Sequence, residues 1–378
     1  MALATSASLG ARHGTVRGAV EALSLDALVV TNPTNIRYLT NHAGSAGTLV
    51  ATGGAMHLLV DFRYQEAVRQ LQQTEAACPS IQVWSVSASY DEALLDCLGQ
   101  IGVRTVGFEA GHLTVARHAW LVQAAASRRL DVVLRPTDRV VEQARIKKDG
   151  GEIATLREAA RRLTPVAQAA FAAVRPGVSE RSIAARIETA IRDAGYERAA
   201  FDTIVASGPN GALPHYRAGD RLLEPGDLVV LDFGGVLDGY CSDLTRTVAL
   251  APPSAETRRV HQAVRDAQQA AIDAVKPGIA TTDVDSAARR VLEAHGLGEA
   301  FGHGTGHGLG LDVHEDPRVT RPRADMAPVP LEPGMVFTIE PGAYLPGWGG
   351  VRIEDDVLVT DRGCEVLTSV SYALIPDR

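Results

Sequence analysis

Cysteine is scarce in this sequence. The 378 residues hold only four cysteines, and no two of them form a Cys-x-x-Cys pair. We therefore expect neither a disulfide scaffold nor a thiolate zinc site, and a reducing compartment suits such a chain. A signal-peptide apolar segment is missing from the N-terminus, and no apolar run approaches the roughly 20 residues of a membrane span. The sequence predicts a cytoplasmic protein without a membrane partner.

An excess of positive charge is also missing. The formal net charge is −8 at pH 7, with 37 basic and 45 acidic residues. Because nucleic-acid affinity depends largely on clustered lysine and arginine, we expect no nucleic-acid partner. Hydrophobic residues make up 46% of the chain, which is ordinary for a soluble globular protein, and the length favours two domains.

The first 140 residues alternate between β-rich and helical patterns. Alternation of this kind is typical of an α/β layered domain. Strands are predicted at 27–32, 56–61, 81–86, 104–109 and 130–136, and helices at 63–73, 90–102 and 113–126. The Gly150-Gly151 pair then precedes a long helical pattern, so we place the domain boundary after residue 145, giving domains 1–145 and 146–378. Within that pattern, Pro165 predicts a kink or break near Thr164.

The second domain contains an internal repeat. Residues 174–195 resemble residues 275–296, since each begins with a Pro-Gly turn and continues as a helical pattern that ends in glycine. Residues 222–232 resemble residues 330–340, each an apolar strand that ends in a carboxylate. By analogy with other duplicated folds, we expect the two halves to pack about a pseudo-two-fold axis and to form a site where they meet.

Four acidic residues occupy matching places in the two halves. Asp232 and Glu340 end the two apolar strands, and Asp243 and Glu354 follow shortly after them. Converging carboxylates repel one another and are costly to desolvate, so two divalent cations are the natural counter-charge. Metal pairs of this kind are well suited to hydrolysis. The alternative, hairpin-turn aspartates and surface glutamates, remains open from the pattern alone.

A glycine-rich segment, 301–317, adds His303, His307 and His314. One neutral imidazole there could complete the coordination of a metal. Oxygen ligands with one nitrogen favour Mn²⁺, Co²⁺, Fe²⁺ or Zn²⁺ over Ca²⁺. A phosphate-binding loop would need a GK[ST] ending, which is missing, and a plain turn is the remaining alternative.

One further histidine, His215, lies in a turn-rich loop at 206–220 that precedes Asp232. A histidine in such a loop is ordinarily solvated. Its place shortly before a candidate ligand favours a substrate-facing role.

These motifs together resemble the pita-bread metallopeptidase family, which includes Xaa-Pro dipeptidase (prolidase) and Xaa-Pro aminopeptidase. The stretches that carry the resemblance are TNPTNIRYLTNHAGSAG, FDTIVASGPNGALPHY, VVLDFGGVLDGYCSDLTRT, FGHGTGHGLGLDVHEDP, TIEPGAY and VRIEDDVLVT. The resemblance implies an α+β fold, with a creatinase-like N-terminal α/β domain followed by a pita-bread catalytic domain. It also implies a homodimer.

The resemblance further implies the residues of the site. Its metal ligands correspond to Asp232, Asp243, His307, Glu340 and Glu354. Asp243 and Glu354 would bridge two ions, for which manganese is preferred and cobalt, zinc or iron are alternatives. The catalytic positions correspond to His215, His303, His314, Glu340 and Arg352. We expect His215 or His314 to stabilise the oxyanion, Glu340 to relay a proton, and Arg352 to orient Glu354 or the substrate.

The implied activity is hydrolysis of the Xaa-Pro bond at the N-terminus of short peptides. A dipeptidase is favoured, and it needs a basic group for the proline carboxylate; Arg37, Arg63 and His303 are the candidates. An aminopeptidase that accepts longer peptides and a hydrolase or lyase of small osmolytes are the enzymatic alternatives. A catalytically silent binding protein is the alternative from another class, although the intact ligand set speaks against it.

Overall fold

The computed structural model describes residues 3–322, 324 and 327–375. Contacts divide the chain into two compact units, one ending at Arg145 and the other beginning at Ile146. Within the described ranges, no helix has both the length and the apolar character needed to cross a bilayer.

The N-terminal unit is built on a mixed six-stranded sheet. Its strands are β1 (Ala27–Val30), β2 (Thr48–Thr52), β3 (Met56–Asp61), β4 (Ile81–Val86), β5 (Thr105–Glu109) and β6 (Val133–Thr137). Its helices are α1 (Ser6–Ala22), α2 (Pro33–Thr40), α3 (Phe62–Leu71), α4 (Tyr90–Ile101), α5 (Val115–Ser127) and α6 (Val140–Arg145). The strand order is β4-β3-β2-β1-β5-β6, in which β2 is antiparallel to both neighbours and the other pairs are parallel.

The predicted strands and helices of this unit are confirmed, and four further elements, α1, α2, α6 and β2, were missed. Helix α1 contains Gly10, Gly14 and Gly18, and each interior glycine costs a helix about 1 kcal/mol relative to alanine. Its helical conformation is stabilised by burial of Leu9 and Val16, both 0% exposed. Tertiary packing thus overrides a weak local preference.

Two helix pairs frame the second unit. They are α7 (Gly150–Ala173) with α8 (Glu180–Asp193), and α9 (Ala255–Ala274) with α10 (Thr281–Ala294). Asp149 caps α7 through a capping box, in which its side chain accepts from the Glu152 backbone N–H while the Glu152 side chain accepts from the Asp149 N–H. Helices α8 and α10 are the two copies predicted from the repeat.

A kink or break was predicted near Thr164, and the alternative of a break is wrong. Helix α7 continues through Pro165 to Ala173. A proline in a helix interior removes one hydrogen bond and costs about 3 kcal/mol. Nearby residues of the same helix are buried, Leu163 at 0% and Val166 at 1% exposed, so their packing in the core offsets that cost.

The described strands of the second unit form four sheets of two to five strands. In chain order they are β7 (Arg198–Ala199), β8 (Ile204–Ser207), β9 (Leu228–Phe233), β10 (Gly235–Leu237), β11 (Tyr240–Cys241), β12 (Leu244–Ala249), β13 (Gly306–Gly308), β14 (Glu315–Val319), β15 (Val336–Ile339), β16 (Gly342–Leu345), β17 (Gly349–Arg352), β18 (Asp355–Val359) and β19 (Cys364–Val366). The sheet orders are β12-β9-β8, β14-β13-β15-β18-β19, β11-β10-β7 and β16-β17. Strands β9 and β15, the central apolar strands, are the two repeat copies.

Candidate metal centre

The first half contributes two carboxylates through the β9–β12 pair. Thr245 lies directly opposite Asp232 in the antiparallel register, so both side chains point to the same face. Asp243 precedes Thr245 by two residues, just before β12 begins, and the strand period of two places it on that face as well. Asp232 and Asp243 are both buried, at 7% and 5% exposed.

The second half contributes two more carboxylates through the β15–β18 pair. Ile339 pairs with Asp355, so Glu340, which follows β15, lies beside Glu354, which precedes β18. The Glu354 backbone N–H donates to the carbonyl of Thr245 at 3.1 Å, which joins the two halves at the site. Glu354 is buried, and Glu340 keeps partial exposure.

Histidine 307 comes from the glycine-rich segment and faces the acids. Its Nε2 lies 3.6 Å from Glu340 Oε1 and 4.0 Å from Asp243 Oδ2. Ligand atoms of Asp243, His307 and Glu354 all lie within 4.8 Å of one another. The flanking Gly306 permits this approach, because a Cβ there would sit 1.8 Å from the carbonyl oxygen of Thr338.

The buried carboxylates of this cluster repel one another, and cations would stabilise their charged forms. Burial and the neighbouring Glu354 charge raise the pKa of Asp243 and of Glu340, and burial with the Asp232 charge raises the pKa of Glu354 to about 8. Oδ1 of Asp232 and Oδ1 of Asp243 are buried without a hydrogen-bond partner among the described residues. Unpartnered carboxylate oxygens are costly in a protein interior, whereas a divalent cation would satisfy them. The side chains therefore fit divalent metal ions.

These raised pKa values predict a pH-dependent stability for the metal-free protein. Burial lowers the pKa of His307 to about 3 and of His303 to about 4, and an unfolded imidazole has a pKa of about 6.5, so from pH 7.5 upward both rings are almost wholly neutral whether the chain is folded or unfolded. Between pH 7.5 and 8.5 the folded state still holds much of the proton of Glu354, which the unfolded state has lost, and stability therefore falls as the pH rises through this pKa of about 8.

In EDTA we expect the melting temperature to drop by about 2 °C from pH 7.5 to pH 8.5. Saturating Mn²⁺ should remove this drop, since the cation stabilises the ionised carboxylates. Differential scanning fluorimetry at both pH values checks it. Equal melting temperatures in EDTA at the two pH values would contradict the raised pKa values.

Arg352 is held against the acid cluster. Its Nη2 pairs with Asp232 Oδ2, and its Nε donates to Thr245 Oγ1 at 3.2 Å. The Thr245 hydroxyl in turn donates to Glu354 Oε2 at 2.6 Å. Arg352 was predicted to orient Glu354 or the substrate, and the structure places it directly on Asp232 and only indirectly, through Thr245, on Glu354.

The three other predicted histidines fall into two groups. His303 has both ring nitrogens engaged: Nδ1 lies 2.7 Å from the Gly304 carbonyl and Nε2 lies 2.8 Å from the Tyr344 hydroxyl. A carbonyl only accepts, so Nδ1 carries the proton and Nε2 accepts from Tyr344. His215 and His314 are exposed, and the His314 ring centroid lies 4.3 Å from that of His307.

Three residues with a place in the site were missed from the sequence. Thr245 joins Arg352 to Glu354, and the Tyr344 hydroxyl accepts from Arg352 Nη1 at 3.0 Å while it donates to His303. Arg318 lies directly opposite His307 across the β13–β14 pair. Its charge acts on Glu340 and His307, yet among the described residues its guanidinium forms no ion pair or hydrogen bond.

Arg63, one of the predicted donors for a substrate carboxylate, already pairs with Asp61 through two nitrogens, at 2.9 and 2.7 Å. Arg37 lies on α2 and is half-buried.

Comparison with family models covers most of the chain. The model described as metallopeptidase family M24 matches residues 154–361. The model described as the creatinase/prolidase N-terminal domain matches residues 12–147. The first match lies within the second compact unit, and the second match covers most of the N-terminal unit and ends two residues beyond Arg145.

Comparison with individual proteins gives the same picture. An uncharacterized peptidase of Bacillus subtilis, YqhT, is 38% identical over 93% of this chain and 96% of its own. The structure of an Xaa-Pro dipeptidase from Bacillus anthracis has a TM-score of 0.89 at 35% identity, covering 97% of this chain and 99% of that one. An X-Pro aminopeptidase from Thermotoga maritima has a TM-score of 0.83 at 34% identity, covering 94% and 99%.

Proposed function

This chain belongs to metallopeptidase family M24, and we propose that it is an Xaa-Pro dipeptidase, which releases the N-terminal residue of a peptide by hydrolysing the bond before proline. Membership confirms the predicted fold, a creatinase-like N-terminal domain with a pita-bread catalytic domain, and the predicted class, a metal-dependent hydrolase. The observation that carries the proposal is the buried cluster of acids with unpartnered oxygens beside His307. Our proposed domain limits are 1–145 and 146–378.

The proposed metal ligands are the four acids and one imidazole of this cluster: Asp232, Asp243, His307, Glu340 and Glu354. Two divalent ions there would supply Lewis-acid polarisation of the scissile carbonyl and a water of lowered pKa. We propose manganese, with cobalt, zinc or iron as alternatives, because the donor set is oxygen-rich with a single nitrogen.

The remaining side chains have roles that follow from their exposure and partners. Glu340 is the acid of the cluster that keeps partial exposure, so it is placed to move a proton to the leaving proline nitrogen. His215 and His314 are exposed, which leaves their rings available to donate to the developing oxyanion. His303 is engaged by Tyr344, so we propose that it sets the position of the tyrosine–Arg352 pair.

The position of Arg318 supports the dipeptidase proposal rather than the aminopeptidase alternative. A dipeptidase must recognise the free carboxylate of the proline, and charge-assisted hydrogen bonds from arginine serve this purpose well. Arg318 shares a face of the β13–β14 pair with His307 and forms no ion pair among the described residues. We assign the carboxylate-binding role to Arg318 rather than to Arg37, Arg63 or His303.

Replacing Arg318 with alanine is expected to raise KM for Xaa-Pro dipeptides about 10- to 100-fold, since a hydrogen bond to a charged group contributes about 1.5–3 kcal/mol. The KM for Xaa-Pro-Yaa tripeptides should change far less, because their carboxylate lies elsewhere. Steady-state kinetics on both substrates check this, with the exposed Arg290→Ala as the control. An equal rise in KM for dipeptides and tripeptides would refute the assignment.

The aminopeptidase alternative is supported by the similarity to the Thermotoga maritima X-Pro aminopeptidase structure. This chain is 34% identical to that protein and 35% identical to the Bacillus anthracis Xaa-Pro dipeptidase. A panel of Xaa-Pro dipeptides and Xaa-Pro-Yaa tripeptides separates the two activities. A greater kcat/KM on tripeptides would establish the aminopeptidase. If no peptide of the panel were hydrolysed, the remaining alternative would be a hydrolase or lyase of small osmolytes.

We also propose a cytoplasmic homodimer that acts on Xaa-Pro peptides. All four cysteines are free, and Cys78, Cys97 and Cys241 are buried, which suits a reducing compartment. Light scattering coupled to size-exclusion chromatography tests the assembly, and a mass near 40 kDa would refute the dimer.

A further inference from the structure

The loop at 207–219 carries His215 and is attached to one buried carboxylate, that of Glu180. We propose that Glu180 is a positioning residue, which holds this loop so that His215 faces the reacting carbonyl. This inference rests on the proposed function, since it assumes that His215 acts on the substrate. Glu180 is the first residue of α8 and is 0% exposed.

Five donors of the loop converge on the two oxygens of Glu180. Oε1 accepts from the Ser207 N–H at 2.8 Å, the Ser207 hydroxyl at 2.7 Å and Asn210 Nδ2 at 3.0 Å. Oε2 accepts from the Tyr216 hydroxyl at 2.8 Å and the Gly219 N–H at 3.3 Å. The contacts begin and end the loop, and the tyrosine among them is the immediate neighbour of His215.

The arrangement is informative because burying a carboxylate is costly. Among the described residues Glu180 forms no ion pair, so its direct contacts are these hydrogen bonds. The nearby charge of Arg221 also acts on it, and Arg221 Nη1 donates to the Ser207 hydroxyl at 2.7 Å. A helix that needed only an end cap already has one, since Ser179 accepts from the Ser182 N–H. The Glu180 carboxylate is therefore not needed as a helix cap, and its contribution is to attach the loop.

The opposite side of the loop rests on the strand that carries Arg352. A Cβ on Gly211 would lie 2.9 Å from the Gly350 nitrogen, and one on Gly350 would lie 2.0 Å from the Gly211 oxygen, so the two backbones touch. Arg352 Nη1 also donates to the Pro214 carbonyl at 3.3 Å. The loop is thus held between Glu180 and the Arg352 strand, which sets where His215 lies relative to the acid cluster.

The other half of the repeat has a comparable buried acid that holds a neighbouring segment by hydrogen bonds. Asp285 of α10 is 0% exposed, and its Oδ1 accepts from the Thr305 N–H at 3.0 Å and the Thr305 hydroxyl at 2.9 Å. Arg289, which pairs with Asp285, donates to the carbonyls of Phe301 and His303. In each half, a buried acid on the helix after the Pro-Gly turn attaches a segment that carries a histidine of the site.

The test is a double-mutant cycle between Glu180→Gln and His215→Ala, measured as kcat on an Xaa-Pro dipeptide. Misplacing a catalytic group by about 1 Å can cost on the order of 100-fold, so we expect Glu180→Gln to lower kcat by about 10- to 100-fold with unchanged metal content. In the His215→Ala background the same substitution should lower kcat less than about twofold, because the group that it positions is already missing.

Glu152→Gln is the matched control: it is the same substitution at a buried glutamate in the first turn of a helix, whose side chain accepts from Asp149 and Tyr240. It should change kcat less than about twofold. Should Glu180→Gln fail to fold, Tyr216→Phe removes one of the five donors, and it should lower kcat a few-fold in the wild-type background only. Additive effects of Glu180→Gln and His215→Ala, or wild-type kcat in both Glu180→Gln and Tyr216→Phe, would overturn the proposal.

Hydrogen exchange of the amides at 207–219 separates this inference from the proposed function. We expect exchange at least about tenfold faster in Glu180→Gln, with the rest of the catalytic domain unchanged. If wild-type protein hydrolyses no Xaa-Pro peptide, the proposed function fails, while faster loop exchange still supports attachment by Glu180. Unchanged exchange in this loop overturns the attachment itself, whatever the activity.

Discussion

Alanine at Asp243 or at Glu354 is expected to lower kcat/KM on Xaa-Pro dipeptides by at least about 10³-fold and to reduce the bound metal. Both residues are buried, and their ligand atoms lie within 4.8 Å of those of His307. Metal ions contribute several kcal/mol to stabilisation of a hydrolytic transition state, and each 1.4 kcal/mol is a factor of ten in rate. Loss of one of the two carboxylates that we propose to bridge the ions should therefore remove most of the activity.

Metal content by plasma mass spectrometry and activity on Gly-Pro or Ala-Pro check this prediction together. Glu365→Ala is a suitable control, since the side chain of this β19 glutamate is 40% exposed and pairs with Arg157 at 2.7 Å. A surface pair of this kind contributes at most about 1 kcal/mol to stability. Activity near that of the wild type in Asp243→Ala or Glu354→Ala would refute bridging ligation.

Alanine at His215 is expected to lower kcat by about 10²- to 10³-fold while the metal content stays that of the wild type. The ring is exposed, and removal of a single oxyanion donor has effects of this size in other hydrolases. The KM should change little, because the hydrogen bond strengthens in the transition state rather than in the substrate complex.

His295→Ala gives the matched control, because His295 is an exposed histidine at the end of α10. It should leave kcat within about twofold of the wild type. If His215→Ala alters the metal content and leaves turnover unchanged, the oxyanion role belongs to another group, and His314 is then the candidate.

The features that sequence reasoning found share one property: their signal is local. The Pro-Gly turns, the apolar strands and the carboxylates that end them recur at matching places within short segments. Asp232 and Glu340 could be aligned with each other without knowledge of which strands pair. The structure adds that β9 pairs with β12 and β15 with β18, which carries all four acids to one place.

The features that were missed depend on pairing between strands. Arg318 becomes interesting only because it lies opposite His307, in a pair whose register shifts between His307 and Gly308. Thr245 matters because it faces Asp232 and reaches Glu354 across 109 residues of sequence. No composition or spacing rule predicts such a register, since a shift of one residue would turn either side chain to the other face.

Glu180 illustrates the same limit in a helix. At the start of an amphipathic helix, a glutamate is ordinarily explained by the helix dipole. Its burial and its five loop donors come from a chain segment roughly 30 residues away, so they follow from tertiary packing alone.

The most direct test is a crystal structure of the protein grown with excess Mn²⁺, with anomalous differences recorded at the manganese edge. The account predicts two anomalous peaks about 3.5–4 Å apart, bound by Asp232, Asp243, His307, Glu340 and Glu354, with Asp243 and Glu354 shared by both ions. A map without a peak among these side chains, or with the five side chains turned away from one another, would contradict it.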